Sequence, residues 1–395
     1  MKRATSQVIV AGHICLDIIP EFFIGDYLPE PGQLVQVGPA TVSTGGPVSN
    51  TGLALYHLGM DTKLMGKVGE DAFGRNVLGL IEARHPTLSE GIIVAEGEMT
   101  SYSVVLNLPG IDRSFLHCPG ANDTFSSNDL KLEDISQTRL FHFGYPPLMA
   151  GMFADDGDDL VNLFSKVKSL QVTTSLDMVM VKPHSVAGQV NWGLILQRTL
   201  PFVDIFLPSI EELLVLLHLP TDQSQWLDQN ENDPRLRTTF LRELANKMIE
   251  WGAGLVVFKL GTFGIYMRTA GEERLNHLGN GTPEDVALWA NREIWSPIFR
   301  IDQFIGTTGA GDSAIAGFIT ALLRGESPER TMMFACAVGA CNVEAADALS
   351  GLLTWEETLT RIEKGWKRLP VGFTEPGWRV HPASQTWLGP FDCQS

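Results

Sequence analysis

The chain predicts an α/β fold built on a mostly parallel sheet, and three observations predict it. Short apolar runs of strand length alternate with amphipathic helical patterns, and Gly-rich turns stand where such runs hand over to helices. With 44% apolar and 19% charged residues, a chain of 395 residues can bury a large core. That length would allow two or three domains, but one large α/β domain over 1–395 fits the pattern.

The elements follow in order. Residues 8–11 read as a buried strand. The run after Met1-Lys2-Arg3 superficially resembles a signal peptide, but His13 and Asp17 interrupt it and no convincing cleavage site follows. Residues 61–68, 140–143, 173–177, 203–207 and 255–260 are further strands, and 51–58, 159–170 and 240–251 are amphipathic helices. Segments 20–43 and 99–119 are extended, Pro- and Gly-bearing, and without helical period, so they predict a small separate sheet. Segments 224–235 and 271–291 read as surface loops, and 370–395 as an irregular surface tail. No run of about 18 apolar residues is present, which excludes a spanning helix.

A formal charge of −17 argues against nucleic acid or an anionic membrane as partner, since both need a basic footprint. Cys15, Cys118, Cys336, Cys341 and Cys393 form no C-x-x-C pair, and the nine His show no metal-ligand spacing. A cytoplasmic location is expected.

Chemistry concentrates in Gly306-Thr307-Thr308-Gly309-Ala310-Gly311-Asp312. Ile315, Phe318, Ile319, Leu322 and Leu323 follow at helical spacing, and Gly325 closes that helix. The glycines therefore sit at a helix N-terminus, where free N–H groups favour an anion. Asp312 stands beside that anion. A carboxylate there is electrostatically awkward unless it accepts a proton from a hydroxyl that attacks the phosphoryl group. The bland alternative is a helix-start residue favoured by the dipole. Gly45-Gly46 precedes another helix, and Asn50, one turn in, offers donor and acceptor to sugar hydroxyls.

Gly45-Gly46…Asn50 with Gly69-Glu70-Asp71-Ala72-Phe73-Gly74 resembles the N-terminal signature of the ribokinase-like (PfkB) carbohydrate kinases. Gly306–Asp312 with Ser313-Ala314-Ile315-Ala316-Gly317-Phe318 resembles their C-terminal signature. Ser209–Glu212 is similar to their N-x-x-E motif, and Lys259–Gly264 to their nucleotide loop. The likeness covers roughly residues 7–355. No Walker A or protein-kinase motif competes with it.

The resemblance implies a ribokinase-like three-layer sandwich, with 20–43 and 99–119 as a β-lid through which such kinases often dimerise. It implies transfer of phosphate from ATP to a hydroxyl of a small sugar or sugar acid. Asp312 would be the base, and Gly309, Ala310 and Gly311 the anion hole. Ser209, Lys259, Gly261, Thr262 and Gly264 would lie along the nucleotide, with Cys336 near the adenine. Glu212 would organise Mg²⁺ through water. Asp17, Gly45, Gly46 and Asn50 would hold the sugar. Four departures stand out: Ser209 replaces Asn, Gly306 replaces a common Asp, Cys15 replaces the Asn of the sugar motif, and Gly144 falls where ribokinase has a sugar-binding Glu. The pocket is therefore not ribokinase's. A nucleoside kinase of the same fold, or a catalytically silent sugar-binding protein, are the other readings.

Overall fold

The computed structural model describes residues 7–23, 31–108, 113–228 and 235–392. Strand Val8–Gly12 (β1) is an interior strand, third from one edge of an eleven-stranded sheet formed among these residues. Val8 and Val10 point into one apolar cluster and Ile9 and Ala11 into the other, as the period of two requires. Both faces are thus covered, which is why β1 reads as an unbroken apolar run.

Further along lie Cys15–Pro20 (β2), Ala40–Gly45 (β3), Thr62–Gly69 (β4), Ile92–Ala95 (β5), Tyr102–Leu106 (β6), Ser114–Cys118 (β7), Leu140–Gly144 (β8) and Thr173–Asp177 (β9). In the large sheet β1 pairs in parallel with β4 and β8, β5 extends beyond β4, and β9 extends beyond β8. Ile205–Phe206 and Leu255–Lys259 continue in parallel. Ile265–Thr269 and Glu293–Ser296 then close the run antiparallel. The predicted strand 203–207 is shorter than expected, and the strands at 265–269 and 293–296 were not foreseen.

The separate small sheet is present. It has the order β3-β2-β6-β7, with β2 and β6 parallel and both edges antiparallel. Its first strand begins at Cys15, ahead of the segment expected at 20–43; part of that segment, 24–30, and residues 109–112 of the second lie outside the described residues. Two expectations need correction. Segment 271–291 is no plain surface loop: it holds the short helix Glu272–Leu275 and buries Leu275, Leu278 and Trp289. The tail past 370 is not irregular throughout. Trp387–Leu388 pairs with Glu293–Ser296, Arg379–Val380 pairs with Trp387–Leu388, and Gly372–Phe373 pairs with Arg235–Leu236. Strands of two residues carry no period, so the pattern could not announce them.

The helices Pro47–His57, Asp158–Ser169, Thr238–Glu250 and Ala310–Leu323 stand within a few residues of their predicted positions. Gly317 lies against Val338 and Ala335, so Ala310–Leu323 packs closely on Pro328–Asn342. Among the described residues no helix is long and apolar enough to cross a membrane.

Candidate active site

Helix Ala310–Leu323 begins where Gly309 adopts φ 74°, a left-handed turn that disfavours any residue with a Cβ. The turn leaves Asp312 in the first helical turn with only 3% of its surface exposed. Three side chains satisfy the buried carboxylate. Thr51 Oγ1 donates to Oδ1 at 2.8 Å, while Asn50 Nδ2 and the Tyr145 hydroxyl donate to Oδ2 at 3.1 and 3.0 Å. Asn50 and Thr51 come from helix Pro47–His57, and Tyr145 follows β8. Ala310 N–H bonds back to Thr307 O at 3.1 Å, whereas the N–H groups of Gly311 and Asp312, in the first turn, have no acceptor within the helix.

A cation stands at the same helix end. Lys259 Nζ lies 3.5 Å from where a side chain on Gly311 would begin, and donates to Asp177 Oδ1 at 2.7 Å. Burial works against its charge, but Asp177, Glu212 and Asp312 together hold Lys259 above its ordinary range, and it stays protonated. Burial pushes the Asp177 carboxyl up, helped by Glu212 and Asp312 and opposed by Lys259. Glu212 has a structural task as well. Its Oε2 accepts from Ser209 N at 2.7 Å, and Ser209 Oγ accepts from Glu212 N at 3.3 Å, a reciprocal cap on helix Ile210–Leu216.

The small sheet supplies the opposite wall. Asp17 on β2 lies so close to Gly45 on β3 that a Cβ there would collide with its carboxylate. Burial, despite donors on Cys15 and Ser103, lifts Asp17 to about 6. Cys15 Sγ donates to Asp17 Oδ1 at 3.4 Å, and Ser103 Oγ meets His117 Nδ1 at 3.0 Å. His117 Nε2 meets His13 Nε2 at 3.3 Å, and the His13 ring is 6.3 Å from that of Tyr145. Burial, with His117 beside it, lowers His13 to about 3, which makes it a neutral ring at physiological pH. Arg113, on the same sheet's approach, donates to Thr307 Oγ1 at 2.6 Å and so ties that sheet to the glycine-rich loop.

The model for the pfkB family of carbohydrate kinases matches residues 6–355. The chain belongs to this family. It is similar to an uncharacterized sugar kinase of Archaeoglobus fulgidus, 25% identical over 300 residues that cover 76% of this chain and 98% of that protein. It is also similar to a nucleoside kinase of Methanocaldococcus jannaschii, 22% identical over 92% of this chain and 99% of the other. Its fold is that of Arabidopsis thaliana ribokinase, solved with ribose and ATP, at a TM-score of 0.67 and 20% identity over 90% of this chain and 98% of that one. The chain is thus a carbohydrate kinase with the ribokinase-like fold.

In this kinase the structure brings Asn50, Asp312, Lys259 and the glycine-rich loop together, and Gly45 with Asp17. Asn50, expected to face a sugar, is bonded to Asp312 instead. Gly261 and Thr262 form the turn after Leu255–Lys259, and Gly264 closes against Ser296 O, to which the buried Cys336 also donates at 3.3 Å. Six residues gathered here escaped the sequence reading: Thr51, Ser103, Tyr145, Asp177, His13 and His117. Thr51 was legible as the neighbour of Asn50. Nothing in residue type or spacing could have found Tyr145, 167 positions from its partner.

Proposed function

We propose that this kinase transfers the γ-phosphoryl group of ATP to a hydroxyl of a small sugar or sugar acid, with Asp312 as general base. One observation carries the reading: a buried carboxylate, held by three donors, stands at a helix N-terminus whose free N–H groups and adjacent Lys259 suit a transferring phosphate. The wall of Asp17, Ser103, His117 and Cys15 supplies hydrogen-bonding partners for hydroxyls rather than an apolar slot. The N–H groups of Gly311 and Asp312, exposed by the turn at Gly309, would hold the phosphates with Lys259; Ser209, Gly261, Thr262 and Gly264 would flank the nucleotide, and Cys336 would lie behind its base.

Among the described residues no group of three His, Cys, Asp or Glu is arranged to hold a metal directly. The carboxylates present fit a Mg²⁺ liganded by phosphates and water, with Glu212 ordering the water; such an ion supplies charge neutralisation on the phosphates. A homodimer through the small sheet completes the proposal, supported by the exposed Val42, Phe115 and Leu116 on its edge strands.

A nucleoside acceptor is the second reading, favoured by the half-buried rings of His117 and Tyr145, which flank the buried His13, with Tyr145 against Asp312. A silent binding protein is disfavoured, since it has no need for an intact Asp312 with all its donors. The test follows ADP release with ATP and Mg²⁺ over ketoses, aldoses, sugar acids and nucleosides, for the native chain and Asp312→Asn. Turnover of one sugar class, lost on the order of 10²–10⁴-fold in Asp312→Asn, is expected. Near-normal turnover in that variant would overturn the base, and turnover of nucleosides alone would transfer the reading to the second.

A further inference from the structure

We infer that Tyr145 is a positioning residue for the phosphoryl transfer: with Asn50 it fills Asp312 Oδ2 and leaves Oδ1 as the atom that takes the acceptor's proton. The inference rests on Asp312 being the base. A carboxylate oxygen accepts about two hydrogen bonds. Oδ2 already accepts two, from Asn50 at 3.1 Å and from Tyr145 at 3.0 Å. Oδ1 accepts one, from Thr51 at 2.8 Å, so its second lone pair is open. In the transfer the acceptor O–H breaks, its proton goes to Oδ1, and the oxygen's electron pair bonds to phosphorus as the bond to the ADP oxygen breaks.

The backbone of Tyr145 supports a dedicated placement. It sits at φ 64° and ψ 40°, a left-handed conformation that is unfavourable for a bulky residue. Its N–H bonds to Asp177 O at 3.4 Å, its carbonyl accepts from Leu148 N at 3.0 Å, and Pro146 and Pro147 fix the following turn. Surrounding structure therefore forces an unfavourable backbone and so aims one hydroxyl at one carboxylate. Asp312 is faced by Tyr145 behind β8, Asp177 at the end of β9, Glu212 on Ile210–Leu216 and Lys259 at the end of Leu255–Lys259; helix Pro47–His57 presents the uncharged Asn50 and Thr51, and His13 lies beyond the Tyr145 ring. Burial and then Asp312 hold the Tyr145 hydroxyl well above its ordinary range, so it remains a donor throughout the working pH range.

Removal of a donor to the ionised form favours the neutral one. In Tyr145→Phe the titration midpoint of Asp312 should rise by about 0.5–1 pH unit. It is followed by ¹³C NMR of the aspartate-carboxyl-labelled chain, with the Asp312 signal assigned by its loss in Asp312→Asn. This readout needs no acceptor. The acid limb of kcat/KM, for whichever of D-fructose, D-ribose, 2-dehydro-3-deoxy-D-gluconate or adenosine turns over fastest, should rise with it. Incorporation of 3-fluorotyrosine at 145, a stronger donor of the same shape, should move both downward. A midpoint that stays put in both variants overturns the role of Tyr145. If Asp312→Asn is inactive in that case, the base assignment stands; if it turns over normally, the base assignment falls first.

Discussion

Asp17 shows how burial sets a single group's behaviour. Its carboxyl, at about 6 in the folded chain, lies above the ordinary 3.8, so the folded state binds the proton more tightly than the unfolded one. The linkage has one sign: that preference stabilises the fold below pH 4 and is lost as pH rises through 6. Asp17→Asn removes the buried charge, and should stabilise the chain by about 2 kcal/mol at pH 8 and hardly at pH 3.5, read from denaturant midpoints. The same change should raise the acceptor KM on the order of tenfold, because a charged hydrogen-bond partner is lost. If stability changes equally at both pH values, Asp17 is not held in a desolvated state. At this scale the sequence exposed Asp312 and Asn50, since glycines at helix starts mark where backbone meets an anion. It hid Asp177 and Tyr145, whose partners, Lys259 at a strand end and Asp312 at a helix start, are far away in sequence and are brought near only by the fold.

At the scale of elements the small sheet was legible from absence of helical period and from alternation. Tyr102–Leu106 alternates half-buried and buried residues, as a strand with one covered face must. Ser114–Cys118 behaves differently. Phe115 and Leu116 point to opposite faces of an edge strand, yet are 53% and 60% exposed. An edge strand with apolar side chains on both faces invites a partner. Leu116→Glu should therefore convert a dimer at micromolar concentration into a monomer by sedimentation equilibrium. It should also lower kcat/KM for the acceptor several-fold, since His117 on the same strand reaches the pocket wall. A wild-type chain that sediments as a monomer would remove the lid from the account of assembly.

The molecule as a whole is organised around strand ends. Asp312, Tyr145, Asp177 and Lys259 converge because β8, β9 and Leu255–Lys259 run parallel and end together, which is where such sheets place their ligands. The apolar runs announced that arrangement. They were silent on the far end of the sheet, where two-residue strands rely on charge rather than on periodic apolar burial. Arg292, 1% exposed, shares its Nε–H between the two carboxylate oxygens of Asp392 at 2.9 and 3.1 Å, and its Nη2 bonds Glu329. Asp392 further accepts from Glu293 N at 2.9 Å, so one tail carboxylate fastens the last strands to the sheet. Loss of one partner from a buried pair leaves an uncompensated charge, which costs about 3–5 kcal/mol; Glu329 remains on Arg292, so the lower figure applies. Asp392→Asn should therefore cost about 3 kcal/mol in denaturant unfolding while kcat at 20 °C stays within twofold, because the pair lies apart from the strand ends that carry the site. Replacement of both Arg292 and Asp392 by apolar residues should recover part of the loss. A tail that merely rests on the surface would give an Asp392→Asn chain as stable as the native one.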